Sequence, residues 1–108
     1  MYLQNKYTQW YYNIIQQAQS RILSPDVYVE KHHIMPSSLG GNNSKSNIVH
    51  LTPREHFVCH LLLTKMTTGN ALFKMKHAVS MLMNVKNIGR GRYIPSSRLY
   101  AYVKKCHL

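Results

Sequence analysis

The sequence predicts an α+β fold in which a two-stranded antiparallel hairpin runs directly into a helix and further helices pack around that unit. Three observations carry the prediction. An amphipathic helical pattern opens the chain, two short β-type runs flank a turn-rich loop, and a strongly marked helix start follows the second run. At 108 residues the chain is expected to form one domain, 1–108, with its core at about residues 28–66 and helical flanks at about 4–22 and 71–105.

The first helix rests on Tyr7, Trp10, Tyr11, Ile14, Ile15, Ala18 and Ile22, whose spacing places them along one helical face over roughly residues 4–22. It should stop before Ser24-Pro25, because proline disfavours helical geometry in the residue ahead of it. Residues 27–34, Val-Tyr-Val-Glu-Lys-His-His-Ile, are rich in β-branched and aromatic types and read as a strand that Pro36 ends. From Pro36 to Asn47 nearly every residue is a turn former, which is the composition of an ordered loop. Ile48-Val49-His50-Leu51 forms the second strand. Thr52 then suits an N-cap, Pro53 the first helical position, and Glu55 the reciprocal partner of a capping box, so a helix should run from there to about Met66 and stop at Thr67-Thr68-Gly69. A third helix, roughly 71–86, carries Leu72, Met75, Val79, Leu82 and Met83 on one face, where the methionines are read as core filler. After the basic glycine-containing loop 87–93, a last short helix is expected at about 97–105.

Fourteen Lys and Arg stand against three acids, a formal net charge of +11. A surplus of that size favours a polyanion, since neutralising phosphates releases their counterions, and nucleic acid is the leading partner. Hydrophobic residues make up 44% of the chain and charged residues 16%, a globular composition, and no apolar run approaches the roughly 20 residues of a membrane span. The N-terminal residues lack the pattern of a secretory signal, so the expected location is the cytosol. Cys59 and Cys106 form neither a Cys-x-x-Cys pair nor a disulfide framework, and Cys59 is expected to behave as a small hydrophobe in its helix.

Four of the seven histidines cluster around the hairpin and its helix. His56 and His60 are one helical turn apart and project from the same face. His32 and His33 end the strand that must lie beside that face, so three imidazoles can meet one cation and leave a coordination position open. Adjacent strand residues point to opposite faces, so a bend near Pro36 or a site at the strand's edge is needed for His32 and His33 to serve one site. His50, His77 and His107 are read as solvated, Glu30 as a possible partner behind a ligating histidine, and Glu55 as the capping residue. Lys74, Lys76, Arg90 and Arg92 are candidate phosphate contacts.

Glu30-Lys31-His32-His33-Ile34-Met35-Pro36, Gly40-Gly41, Asn47-Ile48-Val49, Leu51-Thr52 and Glu55-His56-x-x-x-His60 together resemble the HNH endonucleases, in particular the small phage-encoded homing-type members. The match covers about residues 28–63. The resemblance implies the ββα-metal (His-Me finger) fold and metal-dependent hydrolysis of DNA, expected to be double-stranded. It implies one divalent metal ion (Zn, Mg, Mn or Ni) on His32, His56 and His60, with His33 as the general base and Asn47 bracing the loop that holds it. Phosphodiester hydrolysis develops negative charge on oxygen, which a cation stabilises, and a positioned base adds about 10²–10⁴-fold. Host cytoplasm follows as the location if the gene is phage-borne, and a homodimer is expected if both strands are cut. A non-catalytic DNA-binding module with a structural metal, and a packaging-associated or toxin-like nuclease, are the competing readings of the same residues.

Overall fold

Asn5 sets the start of the first helix, α1 (Lys6–Ser20), by accepting the amide protons of Tyr7 and Thr8 on its side-chain oxygen, both at 3.0 Å. The computed structural model describes residues 2–83. Along α1, Tyr11 and Ile15 are buried and Ile14 and Ala18 pack partly beside them. The apolar stripe is narrower than the spacing predicts. Ile22 lies beyond the helix end and is fully exposed, while Trp10 is half exposed at the stripe's edge, where the Lys6 ammonium sits over its ring and that of Tyr7.

The hairpin consists of β1 (Glu30–His33) and β2 (Ile48–Leu51), antiparallel, with Glu30 opposite Leu51 and His33 opposite Ile48. β1 begins three residues later than the run 27–34 suggests, because a strand lasts only as long as it has a partner and β2 offers four residues. Between the strands the turn-rich loop contains two short 3₁₀ turns, Ser37–Leu39 and Lys45–Asn47. Composition marked this segment as ordered without revealing those turns.

β2 leads through Thr52 into α2 (Pro53–Lys65), with the full capping box present: the Glu55 amide donates to Thr52 Oγ1 and the Thr52 amide to Glu55 Oε1. The same carboxylate receives a two-pronged ion pair from Arg21, just past α1, at 2.5 and 2.6 Å. The end of α1 is thereby tied to the start of α2. Most of the circumference of α2 is covered, with Phe57, Cys59, Leu61, Leu62, Leu63 and Thr64 buried. Cys59, Leu62 and Leu63 join Tyr11, Ile15, Val49, Leu51, Met66 and Met75 in the main core. Burial pushes the Cys59 thiol up to about 12, so it is neutral there.

α2 ends at Lys65, and Gly69 opens α3 (Gly69–Leu82) instead of closing α2. Its φ of +61° is a conformation that side-chain-bearing residues rarely adopt. Met75 and Val79 face inward from α3, Val79 joining Phe57 and Leu61 in a second apolar cluster. Among the described residues no helix is long and apolar enough to cross a membrane. The loop 87–93 with Arg90 and Arg92, the predicted helix 97–105, Cys106 and His107 lie outside the described residues.

Candidate metal centre

The i, i+4 spacing on α2 carries His56 and His60 to the side of the helix that faces β1, and the inward-facing His32 of β1 meets them there. One ring nitrogen from each of the three lies within 4.8 Å of the others. Their ring centroids are 4.9 to 5.2 Å apart and the rings meet edge to face. His32 is fully buried, and burial, followed by the proximity of His56 and His33, pushes its pKa down to about 3. It is therefore a neutral imidazole at ordinary pH, the form that binds a cation.

His56 and His32 each have a ring nitrogen held by a polar side chain. Glu30 Oε1 lies 2.7 Å from His56 Nδ1, and Tyr28 donates to the second carboxylate oxygen at 3.0 Å. His32 Nε2 lies 2.8 Å from the Tyr11 hydroxyl, which also reaches the Ile34 carbonyl oxygen at 2.7 Å. Imidazoles held this way, with a carboxylate or hydroxyl behind them and a shared space in front, suit a cation that takes nitrogen donors. The residues fit the divalent ion that the motif implies.

The strand ends at His33, and the chain bends at Ile34 and Met35 before Pro36. Asn47 clamps this bend. Its Oδ1 accepts the Met35 amide at 2.8 Å, its Nδ2 donates to the carbonyls of Met35 and Asn42, and its own carbonyl accepts the Ile34 amide. The two glycines of the loop have different reasons: Gly40 has φ +97°, while a Cβ on Gly41 would collide with the Met35 carbonyl and come within 2.9 Å of Asn47 Nδ2. His33 Nε2 itself lies 2.7 Å from Oδ1 of another loop residue, Asn43.

His32, His33, His56 and His60 line one cleft of about 200 Å³, with Lys31, Pro36, Ser37, Ser38, Met75 and Ala78 completing its walls. The two neighbouring histidines both line it although they lie side by side in the paired part of β1. Larger clefts of about 590 and 580 Å³ lie beside α1 and do not include the clustered histidines. Lys74 donates to the carbonyl of Ser38, one of the residues of the cleft wall, at 3.1 Å, and Lys76 is half-buried on α3. His50 and His77 are exposed, away from the cleft.

Sequence reasoning did not single out Tyr11, Asn43 or Lys31. The helical spacing reads Tyr11 only as part of an apolar face; its one polar atom, which when buried requires a partner, is the available signal. Asn43 stood among several interchangeable loop asparagines, and no spacing rule distinguishes it.

An antiparallel hairpin that delivers one histidine to a pair on the following helix is compatible with the ββα-metal class. The chain is 36% identical over 99 residues to "Probable mobile endonuclease E" of Enterobacteria phage T4, covering 92% of this chain and 67% of that protein. It is 35% identical over 100 residues to "Probable mobile endonuclease C" of the same phage, covering 91% of this chain and 43% of the relative. With "Probable mobile endonuclease D" it shares 48% over 62 residues, 55% of this chain and 24% of that protein. The chain belongs to this family of phage mobile endonucleases, and it spans from a quarter to two thirds of the length of these relatives. No protein-family model and no solved structure matches it.

Proposed function

We propose that the chain is an HNH-type endonuclease that hydrolyses phosphodiester bonds of double-stranded DNA, with one divalent metal ion on His32, His56 and His60 and with His33 as the general base. The observation that carries this reading is the convergence of three imidazoles in a cleft that His33 also lines. When bound, the ion supplies a positive charge for the oxygens of the scissile phosphate. The chain's own residues do the rest.

Asn43 Oδ1 can only accept a proton, so the 2.7 Å contact puts the hydrogen of neutral His33 on Nε2. Nδ1 then keeps the lone pair and takes a proton from the attacking water as that water's oxygen bonds to phosphorus. The P–O bond to the 3′ oxygen breaks, and that oxygen takes up a proton from solvent as it leaves, giving 5′-phosphate and 3′-hydroxyl ends. Asn47 acts one step removed, fixing the bend that follows His33. Lys31 lines the cleft and Lys74 is bonded to its Ser38 wall, both suited to flanking phosphates, and the net charge of +11 favours the DNA as a whole. One cleft of this kind cuts one strand per encounter, so double-strand cleavage takes two copies or two visits.

The test is plasmid cleavage by the purified full chain with Mg²⁺, Mn²⁺, Ni²⁺ or Zn²⁺. Conversion of supercoiled plasmid to nicked or linear forms, abolished by chelator and by His56→Ala, is expected. Intact plasmid with every metal, under conditions where the chain binds DNA, would favour a binding module with a structural ion instead.

A further inference from the structure

Tyr11 comes from α1, outside the hairpin and helix that hold the histidines, yet its hydroxyl touches the centre. The ring is fully buried in the main core and meets the His32 ring edge to face at a centroid distance of 6.0 Å. Its oxygen stands 2.7 Å from the Ile34 carbonyl oxygen and 2.8 Å from His32 Nε2. A phenol has one proton to give and a carbonyl has none. If that proton went to His32, two oxygens would face each other at 2.7 Å with no hydrogen between them. The favourable pattern sends it to Ile34, whose carbonyl also accepts from Tyr2 at 2.8 Å and has a lone pair for each. The phenol oxygen is then an acceptor, and His32 must carry its hydrogen on Nε2.

We propose that Tyr11 is a positioning residue of the metal centre, holding His32 as the Nε2–H tautomer so that Nδ1 is the nitrogen offered to the cation. The inference rests on the reading of His32, His56 and His60 as ligands. It makes the donor set mixed: Glu30 takes the Nδ1–H of His56, so that Nε2 is the nitrogen His56 offers to the cation, the reverse of His32. It also joins α1 to the centre, so the site depends on three elements and not on the hairpin and α2 alone. In the Tyr11→Phe variant the ring remains and the acceptor goes. His32 is then released to exchange tautomers and to rotate, and an outer partner of this kind contributes about 10- to 100-fold in metal affinity.

The test has two readouts on the full chain. In chelator-treated, ¹⁵N-histidine-labelled wild-type protein, long-range ¹H–¹⁵N correlation should show His32 protonated at Nε2 and bare at Nδ1; the opposite tautomer would overturn the proposal even if the variant failed to fold. In Zn²⁺ and Co²⁺ titrations, Tyr11→Phe should bind about 10- to 100-fold more weakly than wild type while keeping its helical circular dichroism. Equal affinity in a folded variant would overturn the role of Tyr11 and leave the three-histidine reading standing. Absence of metal binding by the wild type would overturn both.

Discussion

Glu30 Oε1 and His56 Nδ1 stand 2.7 Å apart across the contact between β1 and α2, and both side chains are nearly excluded from water. A carboxylate at Nδ1 holds the His56 ring in place and turns its other nitrogen toward the two neighbouring histidines. Glu30→Gln keeps the shape and removes the charge. It should weaken Zn²⁺ binding by about 10-fold or more in isothermal titration with the fold intact. Unchanged affinity would remove Glu30 from the account of the centre.

Asn43 is expected to act on turnover and not on metal binding. Loss of one exposed hydrogen bond to the base amounts to about 1 kcal/mol, or roughly 5- to 10-fold in rate. Single-turnover cleavage by Asn43→Ala should slow by about that factor with its Zn²⁺ affinity unaltered. A variant that cuts at the wild-type rate would mean that the tautomer of His33 is set by something else.

Asn47 and Gly41 should instead report on folding. Asn47→Ala removes three side-chain hydrogen bonds at the bend after His33, and a cost of about 2 kcal/mol is expected in urea unfolding of the chelator-treated protein. Gly41→Ala forces a methyl against the Met35 carbonyl and should destabilise comparably. If either variant melts like wild type, the loop is not clamped in the way described.

The pair of Arg21 and Glu55 gives a pH signature. The Arg21 guanidinium, helped by the Thr52 amide, holds the Glu55 carboxyl below its usual value of about 4.5. The unfolded chain then binds that proton more readily than the folded one, so the contribution is complete above about pH 4.5 and is lost as the pH falls further. Glu55→Gln can keep the capping box while losing the ion pair. Its melting temperature should fall less steeply than that of wild type between about pH 5 and 3. Parallel curves would show that the pair carries no acid sensitivity.

Local signals in the sequence reached far into this fold. The capping box at Thr52 and Glu55, the helical spacing of His56 and His60, and the alternation along Ile48–Leu51 each depend on a few neighbouring residues. What stayed hidden depends on partners distant in the chain. The start of β1 is set by the length of β2, the exposure of Trp10 by where the stripe of α1 ends, and the contact of Arg21 with Glu55 by packing across 34 positions. The same holds at the site. The doubled histidine marked the strand end, but which asparagine meets His33, and that Tyr11 stands behind His32, follow only from the loop's path and the seating of α1.

The proposed division of metal binding from catalysis falls between two adjacent residues, His32 and His33, and cleavage by His33→Ala at saturating metal tests it most directly. The variant should bind Zn²⁺ as wild type does and nick plasmid DNA about 10²–10⁴-fold more slowly in single turnover. Cleavage by His33→Ala at the wild-type rate would contradict the account.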